Sequence, residues 1–301
     1  MKIYENIIPV VAVVTWSDSD FEKLRSCTDS IEAAGIGVLR RIISAHRRPD
    51  ALADFAKNLP DIILPENIQK VLGNPELKVL VAIFAAGCSA HIAGAAAAQT
   101  QMPVIALPVE SSACGTLDAF LAMINMPPGI PNWFAPNNKV AAAMALKLCQ
   151  LDPSAGYNGV AISESCMSLI DNTLLEKIGL VIDQNSPIVI DIQNIDQPTS
   201  PINIPMEKIC IIIPVMWDQL AYENIACLRN VDQEALYMRL QLAGGKVETS
   251  NAIIFAAQIL AQHNLEILEK LKVHRAWLWH ILKEKDDALM MSEMMRIVST
   301  V

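Results

Sequence analysis

"VLVAIFAAGCSAHIAGAAAAQTQMPVIALPV", residues 79–109, is the stretch whose reading decides the fold. It is the longest apolar run of the chain. A His, two Gln and many small residues interrupt it, so it does not read as one bilayer span. It reads as strand, loop, small-residue helix and strand. A strand that ends in a polar loop and returns through a helix to another apolar strand is a unit of a parallel, doubly wound sheet. In such sheets ligands collect outside the carboxyl ends of the strands, which is where "AGCSAH" (86–91) falls.

The flanks repeat the pattern. "IPVVAVVT" (8–15) reads as a strand buried on both faces. "WSDSD" (16–20) follows, then the helical "FEKLRSCTDSIEAAG", which ends at Gly35. "IGVLRRIIS" (36–44) is a second strand, and "RRPDALADFAKNL" (47–59) opens a helix with Pro49 in its first turn. Beyond the fourth strand, "GTLDAFLAMIN" (115–125) is a helix, "PPGIPNWFA" (127–135) a turn and short strand, and "KVAAAMALKLCQ" (139–150) another helix. Four clusters fall at strand ends: "SDSD", "SAHR" (44–47), "AGCSAH" and "ESSACG" (110–115).

Turn formers crowd "LDPSAGYNG" (151–159), which places a boundary there and divides the chain into 1–153 and 154–301. A second α/β stretch follows. "PIVIDIQ" (187–193) and "KICIIIPV" (208–215) read as strands, "DQPTSPINIP" (196–205) as a loop, and the last forty residues as helix. There is an internal echo. Residues 104–125 resemble 210–230 in pattern, with Pro108 opposite Pro214, and "MALKLCQLDP" (144–153) resembles "FAAQILAQHN" (255–264). The second half reads as a shortened, diverged copy of the first.

Bulk properties exclude some functions. The net charge is −9 and the basic residues are scattered, apart from Arg pairs at 40–41 and 47–48, so no nucleic-acid footprint is expected. The N-terminus has an early acidic residue, a Pro inside its apolar run and no small-residue cleavage site, so it reads as a strand. Seven Cys without a C-x-x-C pair fit a reduced, cytoplasmic setting rather than a disulfide framework or zinc site.

Single residues carry two readings each. Ser17 and Ser19, at the start of a helix, suit a phosphate, but Ser and Asp are also ordinary N-caps. His46 and Arg47 add a proton carrier and a bidentate anion ligand, or simply a capping loop with a solvated His. The small residues before His91 leave room for a compact ligand, or allow close packing. His263, His274 and His280 have no metal-pair spacing, and the Met residues at 290–295 read as helix packing.

The combination is more specific than its parts. "SDSDF", "SAHRRPD", "GCSAH" and "PVESSACGTLDAFLAMINMPPGIP" resemble the class I family of N5-carboxyaminoimidazole ribonucleotide mutase, an AIR carboxylase-type family of purine biosynthesis. The resemblance covers about residues 8–150, and returns from about 207 onward, where "SNAIIFAAQILAQHNLEILEKL" (250–271) is similar to the family's closing helices. It implies two fused copies, the second degenerate. It implies a flavodoxin-like, three-layer α/β/α fold with a parallel sheet, and an octamer with sites at subunit contacts. For a two-copy chain that becomes a homotetramer resembling the octamer. It implies a small-molecule ribonucleotide substrate and no metal or organic cofactor, with no nucleic-acid or membrane partner. By motif, Ser17, Ser19, Asp20, Ser44 and Arg47 would hold the ribose phosphate. His46 would be the general acid–base. His91, with Gly87, Cys88, Ser89 and Ala90, would line the pocket for the base and carbon dioxide.

Three residues depart from the family pattern: Trp16 and Cys88 stand where it has Gly, and Glu110 where it has Gln. A mutase is therefore one expectation. A non-catalytic relative kept for assembly or nucleotide binding is another, and direct carboxylation of aminoimidazole ribonucleotide a third. The second half has no "SAHR" or "SAH" and is expected to be inert.

Overall fold

A computed structural model describes residues 7–59, 76–88, 90–110, 117–124, 126–152, 155–164, 166–194, 208–215, 238–239 and 246–300. Ser89, most of the "ESSACG" loop, the 196–205 loop and residues 216–230 of the echo lie outside these.

The first strand, β1 (Ile7–Thr15), is almost wholly β-branched and apolar, and it is buried from Val10 to Thr15. It lies between β2 (Gly37–Ile42) and β3 (Glu76–Ala86), parallel to both. Its side chains alternate: Val11 and Val13 enter one core layer, and Val10, Ala12 and Val14 the other. Both layers are apolar, which is why the strand shows no polar alternation. The register with β3 slips between Val10 and Val11, so Leu80 is an extra residue, and Leu80 and Val81 both face the Val11 layer. The Val11 layer is covered by α2 (Arg25–Ala33), which follows the short α1 (Ser19–Lys23). The other is covered by α3 (Pro49–Lys57), with its Pro in the first turn, by α4 (Ile92–Ala97) and by α5 (Leu117–Ile124). After β4 (Val104–Pro108) and the two-residue β5 (Trp133–Phe134), α6 (Asn138–Cys149) returns to the Val11 layer. Asn137 caps α6 by accepting from the Val140 N–H at 3.0 Å.

The second half contributes β6 (Gly159–Ile162), α7 (Asn172–Ile178), β7 (Val181–Ile182), β8 (Ile188–Asn194), β9 (Ile209–Val215), β10 (Met238–Arg239), α8 (Lys246–Ala261) and the 36-residue α9 (Leu265–Thr300). All strands join one ten-stranded sheet in the order β2-β1-β3-β4-β5-β10-β9-β8-β6-β7. Counted from its outer edge, each half has its second strand outermost, then its first, third, fourth and fifth, the flavodoxin order. The fold is α/β, three-layered, with a parallel sheet in each half. The halves meet at one antiparallel contact between their fifth strands, Arg239 opposite Phe134. That pattern is a two-fold rotation normal to the sheet, so the strands of the two halves end at opposite rims. Pro108 and Pro214 both fall in fourth strands, and α6 and α8 both follow fifth strands.

One core layer runs through both halves, from Val11 and Ile83 to Ile190, Ile211, Phe255 and Leu260. Trp133 and Phe255 meet edge to face across the seam, with centroids 5.4 Å apart. The boundary near 153 is therefore a break in the sequence pattern but not in the core. Helices α8 and α9 reach back onto the first half. The Gly129 N–H donates to Asn251 Oδ1 at 2.7 Å, and Asn251 Nδ2 donates to the Pro127 carbonyl at 3.2 Å. Gly129 has φ +87°, the left-handed region that favours glycine, and a Cβ there would push against the end of the Leu278 side chain. Arg275 donates to the carbonyls of Ala97 and Ala98 at 3.0 and 2.9 Å, closing the C-terminus of α4.

The last helix is only partly packed, which corrects the expectation for the Met residues at 290–295. Leu271 is buried and Leu268 packs on the core, but Leu265 is 77% exposed and Trp277 about half exposed, with the Lys177 ammonium over its ring. Met290, Met291, Met294 and Met295 are exposed rather than packed, because the last turns of α9 run beyond the body of the protein. Among the described residues no helix is long and apolar enough to cross a membrane.

Candidate active site

The site lies where the chain reverses its direction of winding. From β1 the sheet grows outward to β2 and inward to β3, so the loops after these three strands face one crevice. The β1 loop is shaped by Thr15, which is fully buried and donates its hydroxyl to the Ser17 carbonyl at 2.8 Å. The Ser17 and Ser19 hydroxyls then lie 2.9 Å apart, and the Asp18 carboxylate accepts from the Ser19 N–H. Asp20 is 3% exposed. One of its carboxylate oxygens has no hydrogen-bond partner, and the other lies 3.9 Å from Lys23 Nζ. A buried carboxylate oxygen left without a donor is costly.

The β2 loop is a tight turn. Arg48 N–H donates to the Ser44 carbonyl at 2.8 Å, and Arg47 N–H approaches Ser44 Oγ at 3.4 Å. It presents His46 and Arg47 to solvent while Ile43, one step earlier, is buried. The β3 loop carries Gly87, Cys88, the buried Ala90 and the exposed His91, which opens α4. Cys88 is the non-glycine residue with positive φ among the described residues, at +53°. A side chain in this left-handed region costs roughly 1–2 kcal/mol relative to the right-handed one.

Two ring contacts link the three loops. The Arg47 guanidinium carbon lies 6.0 Å from the centre of the Trp16 ring, joining the β1 and β2 loops. The His46 and His91 rings meet edge to face with centroids 5.8 Å apart, joining the β2 and β3 loops. Every candidate residue that is described thus gathers at one rim of the first half: Ser17, Ser19, Asp20, Ser44, His46, Arg47, Gly87, Cys88, Ala90 and His91. Ser89 lies outside the described residues. Lys23 escaped the sequence reading. Its ammonium donates to the Glu110 carbonyl at 3.0 Å, tying the helix after β1 to the loop after β4. Its place three residues after Asp20 was the available signal. Among the described residues no cluster of His, Cys, Asp and Glu could hold a metal ion.

The arrangement offers hydroxyls and a guanidinium for an anion, a buried carboxylate oxygen for a hydroxyl donor, and two adjoining imidazoles for proton transfer. The AIR carboxylase family model matches residues 10–157, which include all of these groups. A mutase for N5-carboxyaminoimidazole ribonucleotide from Brucella melitensis is 41% identical over 121 residues, 40% of this chain and 65% of that protein. The chain thus spans just under two thirds of that relative's length. A protein of the same name from Pyrococcus horikoshii is 33% identical over 142 residues, 46% of this chain and 72% of that protein. A crystal structure of Treponema denticola PurE aligns at 23% identity with a TM-score of 0.39, over 46% of this chain and 79% of that one. On the sequence matches, which cover the motif-bearing half and most of the Pyrococcus relative, this chain belongs to the AIR carboxylase family.

Proposed function

We propose that the chain is an N5-carboxyaminoimidazole ribonucleotide mutase, moving a carboxyl group from the exocyclic nitrogen to the ring carbon of an aminoimidazole ribonucleotide. The observation that carries this is the juxtaposition of His46 and His91 beside the Arg47 turn. Arg47, Ser17, Ser19 and Ser44 would hold the phosphate. Asp20 suits the sugar better than the phosphate, because a carboxylate repels phosphate oxygens and accepts from hydroxyls. The substrate carbamate loses carbon dioxide as its nitrogen is protonated. The carbon dioxide must be kept beside the ring until the ring carbon attacks it, and a proton must then leave that carbon. An imidazole works in both directions near neutral pH, and anchoring the ring beside it supplies the alignment. His46 is assigned this shuttle. Gly87 to Ala90 and His91 would wall the small chamber.

We further infer that the chain is a tandem duplication, with a catalytic half at 1–153 and a diverged half at 154–301. The repeated strand order supports this, and so does the sequence. "SES" (163–165) follows β6 as "SDS" (17–19) follows β1, and the next residues, Cys166 and Asp20, are both buried. A four-chain assembly resembling an octamer of single copies follows from that reading. The free thiols among the described cysteines fit a cytoplasmic location. The deciding experiment is turnover of the carbamate ribonucleotide by purified protein, followed by appearance of the carbon-linked carboxylate. Conversion without added bicarbonate is expected. Dependence on bicarbonate would reassign the chain to direct carboxylation, and absence of turnover would end the catalytic reading.

A further inference from the structure

Trp16 has no place in the mechanism above, and glycine would be expected in its position. It stands directly after β1, 39% exposed, with the Arg47 guanidinium carbon over its ring at 6.0 Å from the centre. The pair is not held by an ion pair, since no carboxylate lies within salt-bridge distance of Arg47 among the described residues. We propose that Trp16 is a positioning residue that holds the Arg47 guanidinium ready for the phosphate of the ligand. This rests on the assignment of Arg47 to phosphate.

The geometry favours help over obstruction. A guanidinium donates its hydrogen bonds in its own plane, while a ring contacts it through its face. A guanidinium held over the Trp16 face therefore keeps the N–H groups that point away from the ring available to an oxyanion. An exposed Arg otherwise samples many rotamers and loses that freedom on binding. A ring beneath it restricts the search beforehand, which is how preorganisation raises affinity. The turn from Ser44 to Arg48 fixes the backbone of Arg47 but not its side chain. Trp16, from a different strand, supplies the second constraint.

The experiment is calorimetric binding of ribose 5-phosphate to the full chain and to Trp16→Phe, Trp16→Leu, Arg47→Met and the double variant Trp16→Leu/Arg47→Met. Trp16 is substantially exposed and outside both core layers, so these changes leave the fold intact. Trp16→Leu, which keeps bulk but removes the ring, is expected to weaken binding roughly three- to tenfold. Trp16→Phe should stay within about twofold of wild type, since it restores a face for the cation. In the Arg47→Met background, Trp16→Leu should add less than about twofold, because the cation over the ring is gone. A Leu variant that binds as tightly as wild type, or more tightly, would show that Trp16 does not assist Arg47. So would an equal loss in both backgrounds. If wild type binds but is indifferent to Arg47→Met, the phosphate assignment of Arg47 falls and this role falls with it. Binding that depends on Arg47 but ignores Trp16 sinks only the present inference.

Discussion

The two halves share a strand order, but the first three strands of the second half are shorter, and the second strand shows the consequence best. In the first half β2 runs six residues, Gly37–Ile42, and ends beside the carboxyl end of β1, where the "SAHR" turn and α3 follow. In the second half the corresponding β7 has two residues, Val181–Ile182, paired low on β6 with Gly159 and Val160. The chain then turns at once toward β8. Asp183 N–H donates to the Val160 carbonyl, and the Ser186 hydroxyl donates to the Gly159 carbonyl at 2.7 Å. The segment after β7 folds tightly onto β6 instead, with Gln184 Nε2 donating to the Ile162 carbonyl at 3.0 Å at the carboxyl end of that strand. The comparison teaches that sheet order survives on apolar content alone, whereas a crevice at the switch point needs its second strand to reach the rim.

The sharpest way to test this asymmetry is chemical. His46→Asn is expected to lower turnover by about 10²–10⁴ while ribonucleotide affinity stays within roughly tenfold. Ser163→Ala, in the loop that echoes the active one, should leave turnover within about twofold. Equal losses from the two variants would show that both rims take part in catalysis.

The next test concerns the shared core. Phe255 is fully buried against Trp133 across the seam. Phe255→Ala should cost about 3–5 kcal/mol. Because one apolar layer spans both halves, denaturant unfolding followed by far-UV circular dichroism and by ligand binding should give one coincident transition. Two separated transitions would make the halves independent bodies.

The smallest expected effect is on pH. Burial first, and then the Lys78 ammonium, push His263 down to about 4, with Asp152 opposing. The unfolded chain takes up this proton near pH 6.5, before the folded one does. The contribution is therefore complete above about pH 6.5 and lost as pH falls toward 4. Partial exposure screens it to the order of 1–2 kcal/mol. His263→Gln should flatten that part of the stability–pH curve. A curve unchanged by the substitution would place the acid sensitivity elsewhere.

Most of the first half was legible because its strands are long, β-branched and punctuated by polar loops. The clusters that form the candidate site were legible as strand-end loops because they follow those strands directly. The second half was read as family-like only from about 207, yet its strand order begins at Gly159. "GVAI" is four residues inside a turn-rich segment, and β7 and β10 have two residues each, too short to show a period. The supports from Asn251 and Arg275 were invisible for another reason. Their partners lie 122 and 178 residues away, and no local pattern encodes such contacts.

Joining the halves through β5 and β10 also changes how the sheet meets other molecules. A strand with a free side is a template for unwanted pairing, and proteins blunt such strands with charge or brevity. Separate halves would each expose a short fifth strand; the seam makes each the other's protection. That leaves β2 and β7 as the outermost strands. β2 carries Arg40 and Arg41 just before its last residue, Ile42, one clamped by both Glu32 oxygens at 2.8 and 3.1 Å, the other set over Phe55. β7 is only two residues long, although Val181 and Ile182 are exposed. One outer strand is guarded by cations and the other by its brevity, so a two-residue β7 also spares the molecule an adhesive rim.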